Sequence, residues 1–260
     1  MFQNLGLQLF TIRDYMKDAE FANLSFRRLH ELGYTEAHTF NSNLDDQTLV
    51  DLLTKNGIHI IGTHYKLDKI LHNPEETVRA HRLMGTTNIG IGALPNEARI
   101  SLDGLKSFIK SYNAAAEQYA KEGFKLTYHN HSFEFERIDG YKTILEIMAE
   151  EFDPQNISFV LDTAWVAAGG GDVCGWMEKL AGRVDILHLK DYTVKIPRSS
   201  KTPEIQLAEI GNGNLCWDAI LATAEKIGVK HYIVEQDGDF DDTPFNSLRM
   251  SAEFLKKYQK

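Results

Sequence analysis

Short apolar or β-branched runs alternate along this chain with longer segments whose apolar residues recur at helical spacing, and the cycle repeats to the C-terminus. The runs predict strands over Leu5 to Arg13, Tyr34 to Phe40, Ile58 to Tyr65, Thr87 to Gly92, Phe124 to Phe135, Ile157 to Asp162, Val184 to Asp191 and Lys230 to Gln236. The helical patterns cover Phe21 to Leu32, Asp46 to Lys55, Glu75 to Met84, Leu102 to Lys121, Tyr141 to Glu151, Val173 to Leu180, Trp217 to Ile227 and Pro244 to Tyr258. Glycines 33, 57, 85, 123 and 228 stand between a helix and the next strand, where a left-handed C-cap feeds a short turn.

Eight strand-then-helix units in 260 residues leave about 32 residues per unit, the size of a parallel βαβ repeat. The fold class is therefore α/β, as one (β/α)8 TIM barrel occupying residues 1–260. A doubly wound open sheet competes, but Thr11-Ile12-Arg13-Asp14 after the first strand carries no glycine-rich dinucleotide fingerprint. The connection from Tyr192 to Asn214 is the longest without clear periodicity, and on a barrel's catalytic face it reads as a surface loop or a substrate lid.

Charge and composition narrow the partners. With 28 Lys+Arg against 37 Asp+Glu the net charge is −9, which opposes nucleic-acid binding. No apolar run reaches the roughly 18 residues of a membrane span, and Met1 to Leu5 lacks the basic start of a secretion signal, so a cytoplasmic protein with no membrane partner is expected. Cys174 and Cys216, the two cysteines, are read as ordinary buried thiols.

In a barrel the chemistry sits at the C-terminal ends of the strands, so polar residues ending apolar strands are the candidates. Glu134, Asp162, His188 and Glu235 are such residues, 28, 26 and 47 positions apart in turn. Three carboxylates together repel one another, whereas a divalent cation neutralises them and the imidazole completes a mixed N/O set. Mn²⁺ is the expected ion, with Mg²⁺, Co²⁺ and Zn²⁺ compatible. Each residue taken alone reads better as a salt-bridged strand end; four of them on successive strands reverse that reading.

His129-Asn130-His131 with Phe133-Glu134-Phe135, Leu161-Asp162-Thr163-Ala164-Trp165, His188-Leu189-Lys190-Asp191 and Glu235-Gln236-Asp237 together resemble the xylose isomerase-like TIM barrels of the sugar phosphate isomerase/epimerase type, over nearly the whole chain. The nearest branch groups inosose dehydratase, ketose 3-epimerases and 3-keto-glycoside lyases. The resemblance implies that Glu134, Asp162, His188 and Glu235 bind the metal, with Glu134 and Glu235 on opposite sides of the carbon that loses its proton. It implies a small-molecule partner, a sugar, keto-sugar or cyclitol, and it is compatible with a homo-oligomer, for which the sequence shows no interface. Isomerisation or epimerisation is the leading activity, and β-elimination by a dehydratase or lyase the alternative. An endonuclease IV-like phosphodiesterase and a sugar-binding barrel without chemistry are remoter readings.

The ketose 3-epimerase pattern has a histidine three residues after the metal-binding aspartate, where this chain has Trp165, a residue that can stack on a sugar face or pack in the barrel mouth. His131 reads as acid, base or substrate donor, Lys190 as oxyanion holder or ion-pair partner, and His64 as substrate-facing. His129 reads as structural with a substrate-binding option. His131 and Glu134 have opposite strand parity, so the strand must bulge or end between them for both to reach the site. His30, His38, His59, His72, His81 and His231 have no supporting motif and are taken as structural or exposed. Gly169-Gly170-Gly171 reads as a turn rather than a phosphate cradle, and Gly211-Asn212-Gly213-Asn214-Leu215 resembles the family's glycine turn.

Overall fold

A computed structural model describes residues 2–199 and 201–260; Met1, part of the stretch read against a secretion signal, and Ser200, within the long connection, lie outside the described residues. The strands are β1 (Leu5–Gln8), β2 (Tyr34–Thr39), β3 (His59–His64), β4 (Asn88–Ile91), β5 (Lys125–His129), β6 (Ile157–Asp162), β7 (Ile186–Leu189), β8 (Asp191–Lys195), β9 (Glu204–Ala208) and β10 (His231–Val234). Eight of them, β1 to β7 and β10, pair in parallel and close into a barrel, β1 meeting β2 on one side and β10 on the other. Every residue of β1, β6 and β7 is buried, as the near-continuous apolar runs of a parallel sheet require. The helices at 46–55, 102–121 and 217–227 coincide with the periodic segments. The five predicted glycines all have positive φ, from 70° to 97°.

β1 and β5 end far earlier than the sequence pattern suggests, and a side chain ends each. After β1 the Gln8 amide oxygen accepts the Phe10 N–H at 3.3 Å, and the chain turns into a 3₁₀ segment, Leu9–Tyr15. After β5 the Glu134 carboxylate accepts the His131 N–H at 2.8 Å, opening a 3₁₀ turn at Ser132–Phe135. A local acceptor replaces the missing ladder partner in both cases.

The predicted irregular connection after β7 is instead largely a two-stranded antiparallel ribbon, β8 with β9, registered from Asp191↔Ala208 to Lys195↔Glu204. Its base is held by the buried Asp191 carboxylate, which accepts the backbone N–H groups of Tyr192, Gly211, Gly213 and Leu215 and the indole N–H of Trp217. A Cβ at Gly213 would lie 2.2 Å from Asp191 Oδ1, so the glycine turn is a requirement of close approach. The Gly169–Gly171 turn packs on Phe135, into whose ring a Cβ at either end would run. Cys174 is half-buried and Cys216 exposed, against the expectation of two buried thiols, and they form no disulfide. No helix among the described residues is long and apolar enough to cross a membrane.

Inside the barrel, Ile61, Val160, Ile186 and Ile233 form a small apolar cluster of their own. Two residues further along three of those strands stand Asp162, His188 and Glu235, which the period of two keeps on the interior face. An apolar plug thus carries a polar layer at the C-terminal end.

Candidate active site

The polar layer is built from consecutive strand ends. β5 ends in His129, β6 in Asp162, β7 places His188 one residue before its end, and Glu235 follows β10 directly. His129 Nε2 lies 3.5 Å from Asp162 Oδ2 and 3.7 Å from Glu235 Oε2, and His188 Nδ1 lies 2.8 Å from that same Glu235 oxygen. All four residues are buried and each offers a donor atom within 4.8 Å of the others. Asp162 Oδ1 caps the short helix 163–168 through the Trp165 N–H at 3.0 Å, which leaves Oδ2 for the cluster. Asn130, pointing away from its histidine neighbours, accepts the Asp162 N–H at 3.0 Å and fixes that strand end.

Lys190 supplies the positive charge. Its Nζ is 3.1 Å from Asp162 Oδ2, 3.0 Å from Glu235 Oε2 and 2.8 Å from Asp237 Oδ2. Burial, the largest single influence, would raise the pKa of Asp162 and Glu235, but the Lys190 ammonium together with His129, and at Glu235 also His188, outweighs it and both are held below the ordinary carboxylate range. Burial likewise opposes the Lys190 charge and is overcome by Asp162, Glu235 and Asp237, so the lysine stays cationic. His129 is shifted upward because Asp162 and Glu235 prevail over burial, whereas burial lowers His188.

The donor set fits a divalent cation. An ion with bonds of about 2.1 Å places neighbouring donors roughly 3 Å apart, close to the spacings seen. Of the ten buried side-chain polar atoms without a hydrogen-bond partner among the described residues, six belong to this site: His38 Nε2, His64 Nε2, His129 Nε2, His131 Nδ1, Asp162 Oδ2 and Trp165 Nε1. Asp162 Oδ2 has its ion pair with Lys190 but no aligned hydrogen bond. Orphaned buried polar atoms are costly, and these residues could hold a cation and a polar ligand that satisfy them.

A pocket of about 250 Å³ opens onto the cluster, lined among others by Phe10, His64, His131, Lys190 and Asp237. A larger hollow of about 410 Å³ by Pro74 and Tyr119 has no imidazole, and its Glu122 is paired with Arg82 at 2.7 Å, so size does not select the site.

The structure thus brings together Asp162, His188, Glu235 and Lys190 as the sequence suggests, with His129 rather than Glu134 as the fourth member. Glu134 turns to the helix side of the sheet: its carboxylate accepts the Tyr128 hydroxyl at 2.5 Å and the His131 N–H, and Tyr128 packs on Phe108, Phe152 and Phe159. Opposite strand parity, followed by a turn instead of a bulge, is the physical reason. Burial pushes Glu134 up to about 7. His131 faces the pocket, stacked on Phe133 and 5.7 Å from Trp165, and burial lowers it to about 3, so its imidazole is neutral. The Trp165 ring lies 4.9 Å from Lys190 Nζ. His38, which sequence gave no reason to single out, is fully buried against His64 and His188. It stands opposite Gln8 across β1 and β2, a pairing that only the barrel register reveals.

The sequence profile of the xylose isomerase-like TIM barrels matches residues 26–258. No protein of curated function matches the chain in sequence. Among solved structures, a sugar phosphate isomerase/epimerase from Parabacteroides distasonis ATCC 8503 superposes with a TM-score of 0.79 at 24% identity, over 98% of this chain and 94% of that one. The probable 3-DHS dehydratase AsbF of Bacillus anthracis, involved in petrobactin synthesis, gives 0.71 at 13% identity, over 97% and 98%. A xylose isomerase-like TIM barrel protein from Mycobacterium smegmatis in complex with magnesium gives 0.68 at 15% identity, over 98% and 97%. At these identities the likeness is one of fold.

Proposed function

The chain belongs to the xylose isomerase-like TIM barrel family, and on that premise we propose that it is a divalent-metal-dependent isomerase or epimerase moving a proton α to the carbonyl of a sugar or cyclitol. The observation that carries this reading is the convergence of two buried carboxylates, two imidazoles and Lys190 on one small pocket. The proposed ligands are His129, Asp162, His188 and Glu235, and Mn²⁺ the proposed ion, with Mg²⁺, Co²⁺ and Zn²⁺ compatible; the magnesium in the mycobacterial structure supports a hard cation.

A cation bound there supplies Lewis acidity, which makes the C–H next to a carbonyl far more acidic. The protein's own groups do the rest. Glu235, held anionic, accepts the proton, and Lys190, 3.0 Å from it, holds the oxygen on which negative charge develops. The neutral His131 imidazole on the pocket wall holds the water that returns a proton to the opposite face, the hydroxide so formed being neutralised by the proton taken up on Glu235; Glu134 cannot fill this role while both its oxygens are engaged. Phe10, Phe40 and Trp165 supply apolar faces against which a sugar ring packs and which exclude water.

β-Elimination is the second reading, because the same groups serve a dehydratase or lyase once a leaving group sits next to the carbanion; the likeness to the probable dehydratase favours keeping it. NMR in D₂O with Mn²⁺-treated protein and a panel of keto-sugars and inososes tests both. Deuterium entering the α-carbon without loss of a group supports epimerisation, and loss of water or an alcohol supports elimination. If Glu235→Gln and His131→Gln both keep full exchange at saturating Mn²⁺, the proton-transfer assignment fails.

A further inference from the structure

Among the fully buried residues of the polar layer that the proposed chemistry leaves unused is Gln8 at the end of β1. Its amide orientation is fixed by the backbone: Oε1 accepts the Phe10 N–H, so the NH₂ group points into the barrel. There Nε2 lies 3.1 Å from His38 Nδ1 and 3.2 Å from His64 Nδ1. An amide NH₂ only donates, so both Nδ1 atoms must be acceptors and both rings carry their proton on Nε2. His38 Nδ1 is also 2.9 Å from His188 Nε2. Two bare lone pairs at that distance repel, so His188 carries a proton on Nε2 and donates it to His38; by the same rule its Nδ1, 2.8 Å from the anionic Glu235 Oε2, needs a cation between them or, in the metal-free protein, a second proton.

We propose that Gln8 is a positioning residue that sets, through His38, which nitrogen of His188 is free, and directly sets His64 as a hydrogen-bond donor. Two consequences follow. His188 Nδ1 is the ring nitrogen left for a cation, on the side where Glu235 Oε2 waits at 2.8 Å; this part rests on the proposed metal reading. His64 Nε2–H has no protein partner and its ring lines the pocket, so it is a neutral donor to a substrate oxygen, which deepens the reading toward substrates carrying an oxygen opposite Lys190.

The relay stands on hydrogen-bond direction alone, and its test needs no substrate. Long-range ¹H–¹⁵N correlation spectra of histidine-labelled protein at pH 8, chelator-treated and Zn²⁺-loaded, report which ring nitrogens carry protons. The expected result is protonated Nε2 on His38, His64 and His188 and bare Nδ1 on His38 and His64. A bare Nε2 on any of the three overturns the proposal. In Gln8→Glu the carboxylate accepts instead of donating, so His38 or His64 moves its proton to Nδ1; spectra unchanged by this variant also overturn it. Mn²⁺ affinity falls about 10- to 100-fold in Gln8→Glu and in the near-isosteric Gln8→Met, the range seen when outer partners of a ligating histidine are lost. Wild-type spectra as expected with no Mn²⁺ binding would leave the role of Gln8 standing and remove the metal reading alone.

Discussion

Glu134 shows how one residue's place decides its chemistry. A carboxyl group whose two oxygens serve Tyr128 and the His131 backbone is a buried brace for the turn that aims His131, and burial raises its pKa from 4.5 to about 7. Between those values the folded protein holds a proton that the unfolded chain has released, so stability falls as pH rises through the window, by an amount on the order of 3 kcal/mol. The contribution is fully present below about 4.5 and gone above about 7. Glu134→Gln, which cannot titrate, should therefore gain stability relative to wild type as pH climbs from 5 to 8, measured by urea unfolding at each pH. Parallel curves would show that the carboxyl is not held protonated. In the sequence, the parity of His131 against Glu134 exposed the conflict, but parity does not tell whether a strand bulges or stops. The side chain that stops it was the same glutamate. His129 looked structural because nothing in one strand reveals that its imidazole faces Asp162 and Glu235 from two others.

At the scale of elements, periodicity located the helices well because an amphipathic face continues for several turns; strand ends were read too long because alternation persists into the turns after β1 and β5. The ribbon escaped notice for a different reason. Its strands are five residues each, flanked by charged and proline residues, and a two-stranded pair exists only because its base is tied down. Asp191 is that tie. Asp191→Ala would strand five donors and should cost about 3 kcal/mol or more, a drop of roughly 6–12 °C in Tm for a chain of this size. Scanning calorimetry checks it, and a shift under about 2 °C would mean that water replaces the carboxylate without loss. Because Asp191 follows Lys190 directly, hydrogen exchange in that variant should quicken through 204–217 while β5 and β6 stay protected.

For the whole molecule, the barrel brings strand ends that lie more than a hundred residues apart in sequence, from His129 to Glu235, to within 3.7 Å. Closure leaves no edge, the apolar layer of Ile61, Val160, Ile186 and Ile233 supports the polar one, and the carboxylates tolerate burial because Lys190 sits among them. Eight repeats in 260 residues made that architecture legible from sequence. Asp162, His188 and Glu235 were legible there too, and His129 as the fourth converging side chain was not, because convergence depends on where each strand stops. His129, Asp162, His188 and Glu235 are the residues proposed to hold one divalent cation. Calorimetric titration of Mn²⁺ into chelator-stripped protein tests this most directly, in wild type, in the four alanine variants and in Glu134→Gln. One ion per chain is expected, with binding weakened at least about 100-fold in each alanine variant and near wild type in Glu134→Gln, and with affinity rising with pH as His129 gives up its proton. No binding to wild type, or binding that survives loss of His129 and disappears in Glu134→Gln, would contradict that assignment.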